Sequence, residues 1–130
     1  MIEHKITDFI MNAEAKALAT FSPEYGLNVV PVSTITVKDE KIILMNYFMG
    51  KTLHNIKDNP TVSLACWKGL EGIQIKANVE YQNGGTLFEE MKQWIAETLP
   101  SRVLKGILIL TPTEIFDTSA SAEKAGTKIY

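Results

Sequence analysis

The sequence has few of the residues that build crosslinked, metal-binding or nucleic-acid-binding proteins. It contains one cysteine, Cys66, which excludes an intramolecular disulfide and favours a reducing, cytoplasmic environment. Two histidines and this cysteine match no familiar zinc-ligand spacing, so we expect no metal site. Arg102 is the single arginine and the net charge is −2, so we expect no nucleic-acid partner.

Long hydrophobic runs are also missing from the sequence. The longest, at 42–45 and 107–110, are too short to span a bilayer, and the N-terminus lacks a signal-peptide pattern. We therefore expect a soluble protein without a membrane partner. The chain has 130 residues, of which 45% are hydrophobic and 22% charged, so we expect one globular domain spanning 1–130.

Short β-strand patterns and three amphipathic helix patterns make up most of the chain. The helix patterns cover 6–17, 50–58 and 86–99, and the strand patterns cover 17–21, 27–37, 41–47, 61–67, 72–81 and 103–116. Because short turns join most of the strands, we expect antiparallel pairing. Six such strands favour a mainly β fold, namely a small six-stranded β-barrel with helices packed on its ends.

The best candidate for an anion site is Gly50-Lys51-Thr52, at the start of a predicted helix. Unpaired backbone N–H groups and the helix dipole favour an anion there, and the lysine adds a full positive charge. The segment is not a P-loop, because that motif needs glycine where this chain has Met45. Asn46 and Tyr47 end the preceding strand and could flank the same anion. A plain surface helix start with a solvated lysine is the alternative.

The strand pattern at 27–37 contains Pro31, which interrupts a β ladder. The hydroxyl groups of Ser33 and Thr34 follow this interruption and could hydrogen-bond a planar heterocycle, or simply lie on a solvated strand face. Trp67 ends another strand, where it could stack on a ring ligand or form part of the core. No serine–histidine–carboxylate triad is apparent, so no catalytic residue is assigned.

Residues 41–67, KIILMNYFMGKTLHNIKDNPTVSLACW, resemble the centre of the pyridoxamine-5′-phosphate-oxidase-like family of FMN-binding split barrels. The shared pattern is a strand, a basic/hydroxyl pair that opens a short helix, then Asn-x-x-x-Asn-Pro-x-Val and another strand. The order of elements extends the resemblance to about residues 15–116. It implies a split β-barrel, FMN as the cofactor, and a homodimer in which the second subunit closes the site.

The resemblance also implies roles for individual residues. Lys51 and Thr52 would hold the FMN phosphate, as the Lys-Thr pair does in small stand-alone FMN-binding proteins of this fold. The isoalloxazine ring would lie along residues 32–34, and Gly72 matches a position where the oxidase itself has a glutamine directed at the flavin. The predicted cofactor-binding residues are Val32, Ser33, Thr34, Asn46, Tyr47, Lys51, Thr52, Trp67 and Gly72.

Two departures distinguish the chain from pyridoxamine phosphate oxidase itself. Residues 31–36 replace an Arg-x-Val-Leu-Leu-Lys strand, and the predicted helix 86–99 has no arginine for a substrate phosphate. The resemblance therefore implies an FMN-dependent oxidoreductase or electron carrier with an unidentified redox partner, and not the vitamin-B6 oxidase. A deazaflavin- or haem-binding variant of the barrel and a binding module without a cofactor are the alternatives.

Overall fold

Residues 2–130, the part of the chain that the computed structural model describes, contain three helices and seven strands. The helices are α1 (His4–Asn12), α2 (Lys51–Asp58) and α3 (Thr86–Thr98). None of the helices within residues 2–130 is both long and apolar enough to cross a membrane. The strands are β1 (Ala15–Ser22), β2 (Gly26–Pro31), β3 (Ile35–Lys38), β4 (Lys41–Asn46), β5 (Thr61–Lys68), β6 (Glu71–Gln82) and β7 (Gly106–Asp117).

All seven strands form one antiparallel sheet in the order β2-β1-β5-β6-β7-β4-β3. The edge strands β2 and β3 are consecutive in the chain, so residues 32–34 cross from one edge of the sheet to the other. The Val32 N–H donates to the Lys16 carbonyl beside β2 (3.0 Å), and the Met45 N–H of β4 donates to the Thr34 carbonyl (3.2 Å). The sheet is therefore rolled into a barrel that is split between β2 and β3, which confirms the predicted fold class.

The structure has seven strands where the sequence predicts six, because the predicted strand 27–37 is divided in two. Pro31 ends β2, since proline has no N–H with which to continue the ladder. The first helix is also shorter than its apolar spacing predicts. It ends at Asn12, and Ala17 lies in β1, paired with Pro31 and Ala65.

The last strand begins at Gly106, not at Val103, and continues through Pro112 without a break. Lys76 of β6 pairs with Glu114, while the next residue of β6 pairs with Pro112. Thr113 is therefore the extra residue of a β-bulge. Pro112 is tolerated beside it because the ladder is already interrupted at a bulge.

Aliphatic side chains fill the barrel interior. Those that are completely buried come from α1 and from every strand except β2 and β3. This packing excludes water from the middle of the barrel and is the main source of stability. The completely buried members are Ile10, Leu18, Ile42, Leu44, Leu64, Ile75, Ala77, Leu108, Leu110 and Ile115.

A second apolar cluster lies outside the barrel, between the sheet and α3. Ile43 and Met45 of β4 and Ile107 and Ile109 of β7 pack there with Ile95 of the helix. β4 and the first half of β7 are thus buried on both faces, which explains why their sequences are uninterrupted apolar runs. The connection from α3 to β7 is thereby held close to the end of β4.

The C-terminal residues fold back onto β7. The Ile129 N–H donates to the Ile115 carbonyl (2.8 Å), and the Thr118 N–H donates to the Gly72 carbonyl (2.9 Å). The Ser119 backbone N–H donates to the Asp117 carboxylate (2.9 Å) and lowers the pKa of that carboxyl. A Cβ atom at Gly72 would lie 2.7 Å from the Thr118 hydroxyl, so the returning chain occupies the space that a side chain at position 72 would need.

Candidate functional site

A cavity of about 400 Å³ opens at the split in the barrel. Its walls are the crossing segment between β2 and β3, the loop from β4 to α2 with the first turn of α2, and the connection from α3 to β7. The volume is in the range of small-molecule sites. The predicted cofactor-binding residues that line it are Val32, Ser33, Tyr47, Lys51 and Thr52.

The first turn of α2 directs backbone donors and a lysine at this cavity. The Gly50 carbonyl accepts hydrogen bonds from the N–H groups of Leu53 (3.1 Å) and His54 (3.3 Å). The N–H groups of Lys51 and Thr52 precede these and have no acceptor within the helix, and Gly50 provides no side-chain cap. The start of α2 therefore carries a positive partial charge in addition to the exposed Lys51 ammonium group.

Thr52 is almost completely buried, with 1% of its surface exposed. Its Oγ1 accepts a hydrogen bond from the side-chain amide of Asn28 on β2 (3.1 Å). The same amide lies 3.3 Å from Oγ1 of Thr20 on β1. The Thr52 oxygen is thus fixed as an acceptor, and its hydroxyl hydrogen is left for donation to a ligand in the cavity.

Asn55, the fully buried side chain one turn further along α2, attaches the helix to the barrel. Its Oδ1 accepts from the Ser22 hydroxyl (2.6 Å), and its Nδ2 donates to Oγ1 of Thr20 (3.1 Å) and to the carbonyl of Gly26 (3.2 Å). Both ends of the amide are therefore used on β1 and the start of β2. This arrangement determines where the first turn of α2 lies relative to the cavity.

Asn46 ends β4 and organises the loop that leads to α2. Its Oδ1 accepts from the Met49 N–H (2.8 Å), and its Nδ2 donates to the Tyr81 hydroxyl (3.0 Å). A Cβ at Gly106 would lie 2.0 Å from that hydroxyl, so glycine is needed there for Tyr81 to reach Asn46. Asn46 is only 2% exposed and does not line the cavity, so in this structure it supports the loop from beneath.

Tyr47 joins the crossing segment to the connection between α3 and β7. Its hydroxyl lies 3.0 Å from Oγ1 of Thr34, and its side chain is buried. The guanidinium carbon of Arg102 lies 5.1 Å from the centre of the Tyr47 ring, a cation–π distance. Sequence reasoning missed Arg102 because only tertiary packing brings it to this cavity. The one available signal was that it is the single arginine in the chain.

The cavity has a cationic lining. Lys51 and Arg102 line it, whereas no aspartate, glutamate, histidine or cysteine from residues 2–130 does so. Neither cation takes part in any of the ion pairs formed within the described chain. A protein with a net charge of −2 thus places two cations without carboxylate partners on one cavity, an arrangement that favours an anionic ligand.

Trp67 and Gly72 lie apart from this cavity. They are directly opposite each other in the β5–β6 pair, and Trp67 is 43% exposed on the outside of the barrel. Gly72 lines a different cavity of about 550 Å³ beside α1 and the C-terminal residues. Cys66, next to Trp67, is buried, and burial raises the pKa of its thiol to about 11, so it stays protonated near neutral pH.

The described residues contain no group of three or more histidine, cysteine or acidic side chains that could hold a metal ion.

Fold and site together define a split-barrel protein with a cationic ligand cavity at the split. The chain belongs to the pyridoxamine 5′-phosphate oxidase family, whose family model matches residues 2–119. Among curated proteins, none matches the chain.

Several solved structures have the same fold. HupZ of Group A Streptococcus has a TM-score of 0.84 at 24% identity, over 100% of both chains. An FMN-binding protein from Syntrophomonas wolfei subsp. wolfei has a TM-score of 0.74 at 19% identity, over 90% of this chain and 88% of that one. HutZ, the haem storage protein of Vibrio cholerae, has a TM-score of 0.68 at 17% identity, over 88% of this chain and 92% of that one.

Proposed function

We propose that this protein binds FMN non-covalently in the cavity at the split and acts as a flavin-dependent oxidoreductase or electron carrier. The observation that carries the proposal is the cationic lining of this cavity, with Lys51 and Arg102 present and no described carboxylate. The phosphate group of FMN carries about −1.5 to −2 charges at neutral pH by analogy with other phosphate monoesters. An anion of this kind matches the two cations and the start of α2.

The phosphate end of the site consists of Lys51 and Thr52. The two backbone N–H groups at the start of α2 and the Thr52 hydroxyl hydrogen are donors, and the Lys51 ammonium adds a full charge. Thr52 needs no rearrangement for this role, because Asn28 already holds its oxygen in place. The cost of ordering that side chain on binding is therefore small.

The ring end of the site consists of the crossing segment. Val32 and Ser33 line the cavity, and residues 32–34 belong to no strand, so not all their backbone groups are needed for a β ladder. Such groups can hydrogen-bond the edge of a planar heterocycle. Tyr47 fixes the far end of the segment through Thr34, which keeps this wall of the cavity in one conformation.

When bound, FMN supplies the hydride or electron transfer, and the protein supplies binding and orientation. The only titratable side chains that line the cavity, among residues 2–130, are Tyr47, Lys51 and Arg102. We propose that these residues hold the cofactor and do not relay protons. No histidine or cysteine from residues 2–130 lines the cavity, but Met45, Tyr47 and Met49, which are also haem-ligand types, do, so the choice of FMN over haem rests on the match between its phosphate and the cationic lining.

We further propose that the protein is a homodimer. Outward-facing residues of β2, β1 and β5 form an apolar face, on which Leu27 is 87% exposed and Val29 68% exposed. Residues directly opposite in antiparallel strands share a face, and the register places these two beside Phe21 and Ala19. No charged side chain occurs at the outward positions of this face, which are Ala15, Ala17, Ala19, Phe21, Leu27, Val29, Pro31, Thr61, Ser63, Ala65 and Trp67.

A second copy is the occupant that this apolar face fits best. Pro31 belongs to the face and also lines the cavity, so a partner packed on the face would lie at the mouth of the cavity. A two-fold dimer uses the same patch on both subunits, and a patch without charges is compatible with itself. In such a dimer the exposed Trp67 and the neighbouring Gly72 would belong to the interface region, where the predicted flavin site is completed by the partner.

The absorption spectrum tests the cofactor assignment. We expect protein incubated with FMN and then desalted to retain flavin absorption bands at about one FMN per chain, because the cavity is partly preformed. Quenching of flavin fluorescence during titration is the independent measurement. A Soret band after incubation with haem, with no retention of FMN, would support the haem alternative. A protein that retains neither would contradict the whole proposal.

Sedimentation velocity tests the dimer. We expect the wild-type protein to sediment as a dimer at micromolar concentration and Val29→Glu to sediment as a monomer, because the new carboxylate would be buried without a partner. Leu99→Glu is the matched control, since Leu99 is 37% exposed but lies at the end of α3, outside the apolar face. A wild-type monomer with FMN bound, or a Val29→Glu dimer, would show that this face is not the interface.

A further inference from the structure

Arg102 lines the cavity from the connection between α3 and β7. It is exposed, yet its position is well determined: its N–H donates to the Leu99 carbonyl (2.9 Å), and its guanidinium lies on the Tyr47 ring. Three residues later, the Lys105 N–H donates to the Asn46 carbonyl (3.0 Å). The connection from α3 to β7 is thus attached to the end of β4, and it presents Arg102 to the cavity.

The charge around Arg102 is not balanced by the protein. None of the ion pairs within residues 2–130 includes Arg102, and no described acidic residue lines the cavity that it borders. A guanidinium group has five N–H donors, and its cation–π contact with the Tyr47 ring leaves several of them available to a ligand. Those N–H groups form the planar, forked arrangement that binds two oxygens of a phosphate at once.

We infer that Arg102 is a second cation of the FMN phosphate site and makes the cavity selective for the phosphorylated flavin. This inference rests on the proposed function. Arg102 and Lys51 line the same cavity of about 400 Å³, and Tyr47, which Arg102 contacts, precedes Lys51 in the loop that forms one of its walls. The three terminal oxygens of a phosphate monoester allow Lys51 and the start of α2 to bind one side while Arg102 binds another.

This arrangement has a consequence for selectivity. Riboflavin has the same ring system as FMN but no phosphate, so a residue that contacts the phosphate affects FMN alone. The ratio of the dissociation constants of riboflavin and FMN therefore isolates the phosphate contribution. A residue that only supports Tyr47 or the connection would instead affect both ligands, because it would change the shape of the cavity.

Fluorescence titration of wild type and variants with FMN and riboflavin tests the inference. We expect Arg102→Ala to lower the riboflavin/FMN ratio about tenfold or more, the effect of losing a charged hydrogen bond. Arg102→Lys should restore part of the ratio, because it keeps the charge but not the forked geometry. Lys92→Ala is the matched control: it removes one exposed positive charge from α3, away from the cavity, and should leave the ratio unchanged.

The outcomes separate this inference from the proposed function. If Lys51→Ala lowers the ratio but Arg102→Ala weakens FMN and riboflavin equally, Arg102 only supports the cavity wall and the inference is overturned, while the FMN site stands. An unchanged ratio and unchanged affinities in Arg102→Ala overturn it as well. If wild-type protein binds neither flavin, both proposals fail. Near-ultraviolet circular dichroism of each variant checks that the aromatic packing around Tyr47 is preserved.

Discussion

Replacing Lys51 with alanine is expected to weaken FMN binding by about 1.5–3 kcal/mol, the range for a hydrogen bond to a charged group. This corresponds to an increase of roughly ten- to a hundredfold in the dissociation constant. The reason is electrostatic: a phosphate dianion at the start of α2 gains from the helix dipole, and the lysine adds a full charge in a partly dehydrated cavity. Riboflavin binding should be nearly unaffected, because riboflavin has no phosphate.

Two further measurements make the Lys51 experiment specific. Lys51→Met keeps most of the aliphatic stem, so an effect shared by the alanine and methionine variants reports on the charge and not on lost packing. Raising the salt concentration should weaken FMN binding to wild type more than to either variant, since salt screens the removed interaction. If Lys51→Ala weakens FMN and riboflavin equally, the lysine does not bind the phosphate and the interpretation of Lys51-Thr52 is wrong.

The sequence predicts the barrel well because period-2 and period-3.6 patterns report which faces are buried. The sequence of β6 alternates, and its buried side chains Ile73, Ile75 and Ala77 are those that the alternation places on one face. The division of 27–37 is harder to predict. Its β-branched residues favour one long strand, and Pro31 indicates only an interruption of the ladder. That the chain then crosses to the opposite edge of the sheet depends on the closure of the barrel, with β2 and β3 on opposite edges.

The candidate site is predictable where it is continuous in sequence. Lys51 and Thr52 follow each other at a helix start, and the structure brings both to the cavity with Val32 and Ser33. The contribution of Arg102 depends on how α3 packs across β4 and β7, which no local pattern encodes. That Trp67 contacts the cofactor stays a prediction, and it requires a second subunit, because within one chain Trp67 lies outside the cavity.

The role of Asn55 likewise depends on tertiary contacts. Replacing this residue is expected to have the largest effect on the free energy of unfolding. As a sequence feature, Asn55 is one position of an Asn-x-x-x-Asn-Pro pattern on an amphipathic helix. In the structure it is fully buried and makes three hydrogen bonds to Ser22, Thr20 and Gly26. It is the main polar attachment of α2 to β1, and therefore determines the position of the first turn of that helix.

Asn55→Ala is expected to lower the free energy of unfolding by about 2–4 kcal/mol, since buried groups that lose a partner cost about 1–3 kcal/mol each. The Gly26 carbonyl loses its amide donor and the Ser22 hydroxyl loses its acceptor, while Thr20 still has Asn28 as a donor. The measurement is urea unfolding without flavin, followed by circular dichroism. Protein concentration must be held constant, because a dimer unfolds in a concentration-dependent way.

Asn12→Ala is the matched control for this substitution. Asn12 is also a helical asparagine with a hydrogen bond, from its side-chain amide to the Asp8 carbonyl (2.9 Å), but that bond is exposed. Its loss should change the free energy of unfolding by no more than about 0.5 kcal/mol. The double variant Ser22→Ala/Asn55→Ala should lose less than the sum of the single variants, because each single change leaves the other buried group unpaired. A loss below about 1 kcal/mol in Asn55→Ala would mean that α2 is attached mainly by its apolar face, through Ile56 and Leu53, and that the buried amide does not position the anion site.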